Sequence, residues 1–394
     1  MSAPAPDIEV RASARHALGM PVAAFLRHYW QKQPLLIRGA IPDFVSPLTP
    51  DDLAGLACID GTLGRIVRFD RKRDRWHLEN GPFAEARFAK LPKRDWTLLV
   101  QDMDRWDPEV RALLRLVDFL PRWRVDDIMV SYAAPGGSVG AHVDQYDVFL
   151  LQGMGQRRWQ IDARPNPPLA FREDAPIRLL QDFEASHEWL LEPGDMLYLP
   201  PGVPHFGEAE NDCLTFSIGM RAPSAGELLA GFAAEQALKL DEELRYADPD
   251  LAPTEDPGAI DHAALTRLRQ ALSQAMKLDD AALGDWFGRF LSLYRAAERP
   301  RPRRISPAQI SGRLEREGVL VPASSVRLNF TTDAAGRGGA TLHGNGESIP
   351  VTLKLARLCT ALNCQIDQAC FAGLDEADRA SVVELTRRGW LSWQ

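Results

Sequence analysis

Short hydrophobic runs, separated by turns rich in proline and glycine, characterise the chain up to about residue 222. The clearest runs are residues 127–133, 148–152, 159–161, 196–199 and 214–218. They are rich in aliphatic and aromatic side chains, and turn signals such as Pro135-Gly136-Gly137 bound them. Both properties are typical of β-strands. Many short strands at this spacing predict a mainly β fold for residues 1–222, such as a double-stranded β-helix.

The pattern becomes helical after residue 222. Ser224 followed by Glu227 is a capping box, a sequence signal for the start of a helix. Apolar residues then recur at helical spacing in two stripes. The stripes consist of Leu265, Leu268, Leu272 and Met276, and of Trp286, Phe287, Phe290, Leu293 and Tyr294. Two interpretations stay open for residues 223–300: a helical dimerisation region, or helices that pack on the β domain.

The C-terminal part, residues 301–394, follows a second linker around Pro300 to Arg304. Its pattern predicts a helix at 306–318, a strand pair at 326–332 and 340–351, and further helices to Trp393. That order resembles a winged-helix unit. This segment contains twelve Lys and Arg residues and nine Asp and Glu residues, and so small an excess of positive charge does not predict DNA binding. A role in protein interaction is favoured instead.

Composition excludes several classes of protein. The net charge of −8 argues against general binding to nucleic acid or to an anionic membrane, although a local basic patch would be compatible with it. The five cysteines form no CxxC pair and are odd in number, which favours free thiols and a cytoplasmic location. We expect neither a signal peptide nor a membrane-spanning helix, since no sufficiently long apolar run occurs.

The most informative motif is His142-Val143-Asp144. On a strand, residues two apart point to the same face, so the imidazole and the carboxylate would project together. One more histidine would complete a 2-His-1-carboxylate triad, the ligand set of non-haem Fe(II) oxygenases. His205 is the favoured third ligand, because the rigid segment from Pro200 to Pro204 presents it. His187 lacks such a frame and is expected in a surface loop.

Two adjacent arginines follow the motif. Arg157 shares its strand face with Trp159 and Ile161, an apolar and therefore interior set, whereas Arg158 shares its face with Gln160. A buried arginine needs an anionic partner. Arg157 is therefore the candidate anchor for the distal carboxylate of 2-oxoglutarate, and a protein carboxylate is the alternative partner.

Three segments together resemble a known family. They are DWTLLVQDMDRW (from residue 95), DDIMVSYAAPGGSVGAHVDQYDVFLLQGMGQRRWQI (from 126) and EPGDMLYLPPGVPHFGEAE (from 192). They are similar to the JmjC-type cupin ribosomal oxygenases, and in particular to the bacterial ribosomal-protein arginine hydroxylases. The resemblance extends over nearly the whole chain, since that family joins a JmjC domain to a helical dimerisation region and a winged-helix C-terminus.

The resemblance implies an Fe(II)- and 2-oxoglutarate-dependent enzyme, with O2 as second cosubstrate. Its expected reaction is hydroxylation of the β-carbon of an arginyl residue in the sixteenth large-subunit ribosomal protein, and the expected assembly is a homodimer. Carried onto this sequence, His142, Asp144 and His205 would hold iron and Arg157 would bind the 2-oxoglutarate carboxylate. The serine that assists this carboxylate in relatives falls at Ala133 here, and Ser131 could substitute for it.

For the substrate arginine, the resemblance points to four residues, namely Asp127, Met129, Tyr146 and Ser217. Their chemistry is suitable, because a carboxylate pairs with a guanidinium, and an aromatic ring stacks on its plane. Two alternatives remain. The same chemistry could act on a histidyl or methyl-lysyl residue, or the chain could be a non-enzymatic metal-binding cupin that serves as an adaptor.

Overall fold

A computed structural model describes residues 7–276, 279–293, 304–316, 318–332 and 338–394. The chain divides into two compact units, Met1–Ala222 and Pro223–Gln394. The predicted linker at 300–304 lies almost entirely outside the described residues, as does Tyr294 of the second apolar stripe. No helix among the described residues is long and apolar enough to cross a membrane.

The first unit contains twelve strands and four short α-helices. The strands are β1 (Glu9–Arg11), β2 (Leu35–Arg38), β3 (Gly64–Asp70), β4 (Arg75–Asn80), β5 (Trp96–Val100), β6 (Val125–Ala133), β7 (Val148–Met154), β8 (Arg157–Ile161), β9 (His187–Leu191), β10 (Met196–Leu199), β11 (His205–Ala209) and β12 (Cys213–Met220). The helices are α1 (Val22–His28), α2 (Pro50–Leu56), α3 (Met103–Trp106) and α4 (Pro108–Ala112). This confirms the mainly β prediction, and each of the five predicted hydrophobic runs lies within one strand.

The strands form two sheets. Nine of them pair in the order β1-β2-β10-β7-β12-β6-β5-β3-β4, and the other three pair in the order β11-β8-β9. The chain passes between the sheets repeatedly, because β8, β9 and β11 belong to the small sheet while β7, β10 and β12 belong to the large one. This crossing pattern agrees with the predicted cupin architecture.

The central strands of the large sheet, β2, β10, β7 and β12, are buried on both faces, which explains their continuous apolar runs. In β7, Val148 and Leu150 pack with residues of the small sheet, including Trp159 and Ile161. The alternate residues of β7, among them Phe149, belong to a larger cluster on the opposite face that also includes side chains from α1 to α4. Every second residue of each strand therefore points into the space between the two sheets.

The second unit joins helices to two small sheets. Its helices are α5 (Ala225–Ala237), α6 (His262–Ala275), α7 (Asp280–Ser292), α8 (Pro307–Leu314), α9 (Leu353–Thr360), α10 (Gln368–Ala372) and α11 (Glu376–Arg387). Its strands are β13 (Leu320–Pro322), β14 (Asn329–Thr332), β15 (Gly339–Gly344), β16 (Glu347–Thr352) and β17 (Leu391–Trp393). The capping box at Ser224 starts α5 as predicted.

The single strand predicted for 340–351 is wrong. The segment forms a hairpin of β15 and β16, because Asn345 and Gly346 both adopt left-handed backbone conformations, with φ of 49° and 79°. Two such residues make the tight turn that matches the twist of antiparallel strands.

Candidate metal centre and its pocket

Three side chains of the first unit converge where the two sheets meet. One ligand atom from each of His142, Asp144 and His205 lies within 4.8 Å of the other two. Nε2 of His142 is 4.0 Å from Asp144 Oδ1, and Nε2 of His205 is 3.7 Å from Asp144 Oδ2. The three residues predicted from the sequence are thus brought together, with two nitrogen donors and one carboxylate facing a common point.

The local backbone around His142 differs from the prediction. Residues 141–147 do not form a regular strand; His142 makes an isolated antiparallel bridge to His205, the first residue of β11. The two histidines exchange backbone hydrogen bonds of 3.0 Å in each direction. His142 and Asp144 therefore do not lie on a regular strand as predicted, although the predicted convergence of their side chains is correct.

Hydrogen bonds fix the orientation of both imidazoles. Nδ1 of His142 lies 3.0 Å from the Gly140 carbonyl oxygen, and Nδ1 of His205 lies 2.9 Å from that of Val203. A carbonyl only accepts, so each Nδ1 carries the proton and each Nε2 is left as a free lone pair. Burial, followed by the proximity of His142, lowers the pKa of His205 to about 4. His205 is therefore neutral at physiological pH, as a metal ligand must be.

Arg157 is a buried cation close to this centre. It lies on β8, where burial alternates as the sequence predicted, and only 3% of its surface is exposed. Its Nη1 donates to Ser131 Oγ over 3.4 Å and its Nη2 to the Gly207 carbonyl over 3.2 Å, while Nε has no hydrogen-bond partner. The face of the Trp159 ring is 4.9 Å from its guanidinium carbon.

No carboxylate forms an ion pair with Arg157 among the residues that the structure describes, and burial lowers the pKa of its guanidinium. An arginine remains protonated at neutral pH even so. A buried charge with so few partners is costly, which indicates that the site is built for an anion. The residues present therefore suit a bound dicarboxylate near the metal centre.

Three of the candidate substrate residues, Asp127, Met129 and Ser217, lie on the neighbouring strands β6 and β12, and Tyr146 lies in the irregular segment before β7. The strand register pairs Met129 with Ser217, and Asp127 with Gly219, so these two pairs share one face of the sheet. Oδ2 of Asp127 accepts a 3.0 Å hydrogen bond from the backbone N–H of Asp102. Burial, helped by nearby Asp102, Asp126 and Asp104, raises the pKa of Asp127 to about 7.

Gly219 is a pocket residue that the sequence reasoning missed. A Cβ atom placed there would lie 3.4 Å from Asp127 Oδ1 and 4.0 Å from Cε2 of Tyr146. The missing side chain therefore leaves a slot between a carboxylate and an aromatic ring. Tyr146 is 41% exposed, and partial burial beside Asp144 and Asp127 raises its pKa. Only the pairing of β6 with β12 could have pointed to this glycine.

Comparison with known proteins places these features in a family. A profile described as the JmjC domain matches residues 112–228, and one described as an AraC-like ligand binding domain matches residues 184–316. The ribosomal protein uL16 3-hydroxylase of Escherichia coli strain K12 is 35% identical over 334 residues, which cover 82% of this chain and 84% of that protein. The chain belongs to the JmjC ribosomal oxygenases.

Other ribosomal oxygenases match as well. A probable ribosomal oxygenase of Haemophilus influenzae is 43% identical over 210 residues, which cover 53% of this chain and 52% of that protein. A solved structure of the Escherichia coli ribosomal oxygenase YcfD, in complex with cobalt and 2-oxoglutarate, superposes with a TM-score of 0.80 at 31% identity. The match covers 96% of this chain and 99% of that one.

Three residues of the same types as the predicted site residues, His187, Arg158 and Asp147, have other partners in this ribosomal oxygenase. His187 begins β9 and is exposed, and Arg158 is exposed between Glu188 and Glu210, with hydrogen bonds of 2.6 Å to each. Asp147 is fully buried, but its carboxylate accepts hydrogen bonds from Tyr198, Gln31 and Arg124. These three residues are therefore occupied by structural or surface contacts.

Proposed function

We propose that the protein is an Fe(II)- and 2-oxoglutarate-dependent oxygenase that hydroxylates the β-carbon of an arginyl residue in ribosomal protein uL16. The observation that carries the proposal is the convergence of His142, Asp144 and His205 beside Arg157, a buried cation with no carboxylate partner among the described side chains. This arrangement occurs in a chain with a uL16 3-hydroxylase among its relatives. The enzymatic character of the family argues against the adaptor alternative.

Iron is the metal that suits these ligands. Two neutral imidazoles and one carboxylate leave positions open for a chelating cosubstrate and for O2. When bound, iron with 2-oxoglutarate and O2 supplies the oxidising power that converts a C–H bond into C–OH and releases succinate and CO2. His142 and His205 act as neutral donors through Nε2, and Asp144 offsets part of the metal charge.

Arg157 and Ser131 position the cosubstrate. The guanidinium binds the distal carboxylate of 2-oxoglutarate through two charge-assisted hydrogen bonds, and Ser131 contributes its hydroxyl. Trp159 lies against the guanidinium and keeps water away from it. Cosubstrate binding thus neutralises a charge that has no carboxylate partner among the described side chains.

Four residues position the target arginine. Asp127 pairs with its guanidinium, and Tyr146 stacks on the planar face across the slot left by Gly219. Met129 and Ser217 form the apolar wall and a hydroxyl contact on the adjacent strands. A carboxylate and an aromatic ring on two sides of a slot favour a planar cation over a histidyl substrate.

Hydroxylation can be tested directly. The purified protein is incubated with Fe(II), 2-oxoglutarate and a uL16 fragment, and succinate release and peptide mass are followed together. We expect succinate formation coupled to a gain of one oxygen on an arginyl residue. A fragment in which that arginine is replaced by lysine is the matched control. Modification of a histidyl or methyl-lysyl residue instead would refute the arginyl assignment.

Homodimerisation through the helical segment belongs to the same proposal. Leu265, Leu268, Leu272 and Met276 of the α6 stripe are 41% to 54% exposed, which is unusual for a continuous apolar row. A second copy would cover them. Light scattering after gel filtration should give twice the chain mass for the wild type and a monomer for Leu268→Asp/Leu272→Asp. A wild-type monomer would refute dimerisation.

The domain assignment and location complete the proposal. Residues 1–222 form the catalytic JmjC domain, 223–300 the dimerisation region and 301–394 a winged-helix-like domain with an interaction role. The second compact unit contains both of the latter segments. The five cysteines are free thiols, which agrees with an enzyme that modifies a ribosomal protein in the reducing cytoplasm.

A further inference from the structure

Positive charge is concentrated on one part of an otherwise acidic chain. Residues 65–95, which span the β3–β4 hairpin and the segment that leads into β5, contain ten Lys and Arg residues against five Asp and Glu. The whole chain carries a net charge of −8. The hairpin therefore bears a charge opposite to that of the protein as a whole, and charge alone makes it a candidate surface for a polyanion.

Six cations of this region form what we term the basic rim. They are Arg68, Lys72, Arg75, Lys90, Lys93 and Arg94. Within the described parts of the chain, five of them form no ion pair, and Arg94 has a single contact of 3.4 Å, with Asp95. Neighbouring Arg71 differs, since it is bound to Asp95, Glu208 and the Gly136 carbonyl. The charge of the rim is thus largely available to a ligand.

The rim also borders a cleft of about 620 Å³. Arg68, Lys72 and Arg94 line it, together with Arg71, Phe69 and Pro92. Three carboxylates also line it, and each is paired with an arginine: Asp95 and Glu208 with Arg71, and Asp70 with Arg73. Nε of Arg68 is buried there without a hydrogen-bond partner. Phe69 stacks on Trp76 with ring centroids 4.4 Å apart, which stiffens the hairpin that presents the cations.

The basic rim adjoins the metal centre. Trp76 of β4 packs against Gly140, where an added Cβ would lie 3.1 Å from the Trp76 ring. The Gly140 carbonyl accepts the hydrogen bond that Nδ1 of His142 donates. Arg71 reaches Glu208, three residues after His205 on β11. A ligand on the rim would therefore lie near the two segments that carry His142 and His205.

We propose that the basic rim binds the phosphate backbone of RNA while the pocket holds its protein substrate. The biological meaning rests on the proposed function, because a ribosomal protein is a basic chain whose natural polyanionic partner is ribosomal RNA. The two surfaces carry opposite charges, as the two parts of such an assembly do: the carboxylate of Asp127 lies at the substrate pocket, and the cations lie on the hairpin. The enzyme then acts on a protein–RNA assembly rather than on the free protein alone.

The test measures binding of a fluorescein-labelled 24-base-pair RNA hairpin to the full chain by anisotropy, without iron or 2-oxoglutarate. Lys72→Glu/Arg75→Glu/Lys93→Glu is compared with Arg11→Glu/Arg15→Glu/Arg27→Glu, three exposed cations elsewhere in the same unit. Both variants change the net charge equally. Each phosphate contact contributes about 0.9 to the slope of log affinity against log salt.

We expect the rim variant to bind at least about tenfold more weakly at low salt, with a slope reduced by roughly two to three, and the control variant to remain near wild type. Equal losses in both variants would overturn the proposal, since net charge alone would then explain binding. Tight binding of poly-glutamate with the same variant sensitivity would overturn it in favour of an acidic protein. Failure of uL16 hydroxylation would refute the proposed function and leave this binding result standing.

Discussion

Replacement of Arg157 by methionine separates cosubstrate binding from folding. The guanidinium is almost fully buried and has no carboxylate partner among the described side chains, so methionine fills a similar volume without the cost of burying a charge. We therefore expect the variant without cosubstrate to be as stable as the wild type, or more so. Most substitutions of buried arginines act in the opposite direction, because they leave a carboxylate unpaired.

The size of the effect follows from the two hydrogen bonds that 2-oxoglutarate would accept. Each charge-assisted bond contributes about 1.5–3 kcal/mol, so the pair is assigned about 3 kcal/mol as a lower bound. This corresponds to roughly a 150-fold loss of affinity for 2-oxoglutarate. At a concentration of 100 Kd, the cosubstrate stabilises the wild type by about 2.7 kcal/mol, whereas the variant would gain only about 0.3 kcal/mol.

Two measurements check this prediction. Thermal unfolding with a bound divalent metal is followed with and without 2-oxoglutarate, and the KM for 2-oxoglutarate is taken from succinate release. Arg158→Met is the matched control, since Arg158 is an exposed neighbour paired with Glu188 and Glu210. An Arg157→Met enzyme that kept the wild-type KM and thermal shift, or one that lost several kcal/mol without cosubstrate, would refute the reasoning.

Three further predictions address the metal, the substrate and the second unit. His142→Ala should abolish succinate release, whereas His187→Ala should retain it; equal activity in both would exclude His142 as a ligand. Since Asp127 has a pKa of about 7 and must be ionised to bind a guanidinium, kcat/KM for the uL16 fragment should rise as pH increases through 7. Asp127→Asn should lower kcat/KM and remove this dependence, and a retained pH dependence would contradict the assignment. Hydrogen bonds from Arg289 lower the pKa of Glu235 to about 2, below the value of about 4.3 that a glutamate has in an unfolded chain. The pair therefore stabilises the fold fully at pH values above about 4.3, and this stabilisation is lost as the pH falls towards 2. Chemical denaturation should show Glu235→Gln less stable by about 1 kcal/mol at pH 7, with the difference shrinking at pH 3; a constant difference would show that the pair is not the cause.

Regular strands allowed reliable prediction of parts of the pocket from sequence. β8 alternates without interruption, so parity correctly separated buried Arg157 from exposed Arg158. The proline-rich approach to His205 likewise predicted a fixed side chain at the start of β11. In both places the local sequence determines the side-chain direction.

Other features depend on contacts distant in sequence. The segment around Asp144 is irregular, and it is held at the centre by the bridge between His142 and His205 and by a hydrogen bond from the Gly202 N–H to the Asp144 carbonyl. Gly219 acquires its role from pairing with Asp127 across two strands. The turn at Asn345-Gly346 is a different case, because the dipeptide is itself a hairpin signal that the prediction of one long strand overlooked.

The reciprocal backbone bonds between His142 and His205 have a consequence for metal exchange. Two of the three donors are held together by the same kind of ladder that holds the sheets, and each ring is oriented by a carbonyl. The backbone is therefore ordered before the metal binds, and metal binding costs little conformational entropy. We expect a chelator to strip the protein reversibly, with its circular dichroism unchanged, so that the supply of iron, rather than refolding, sets how quickly the enzyme becomes active.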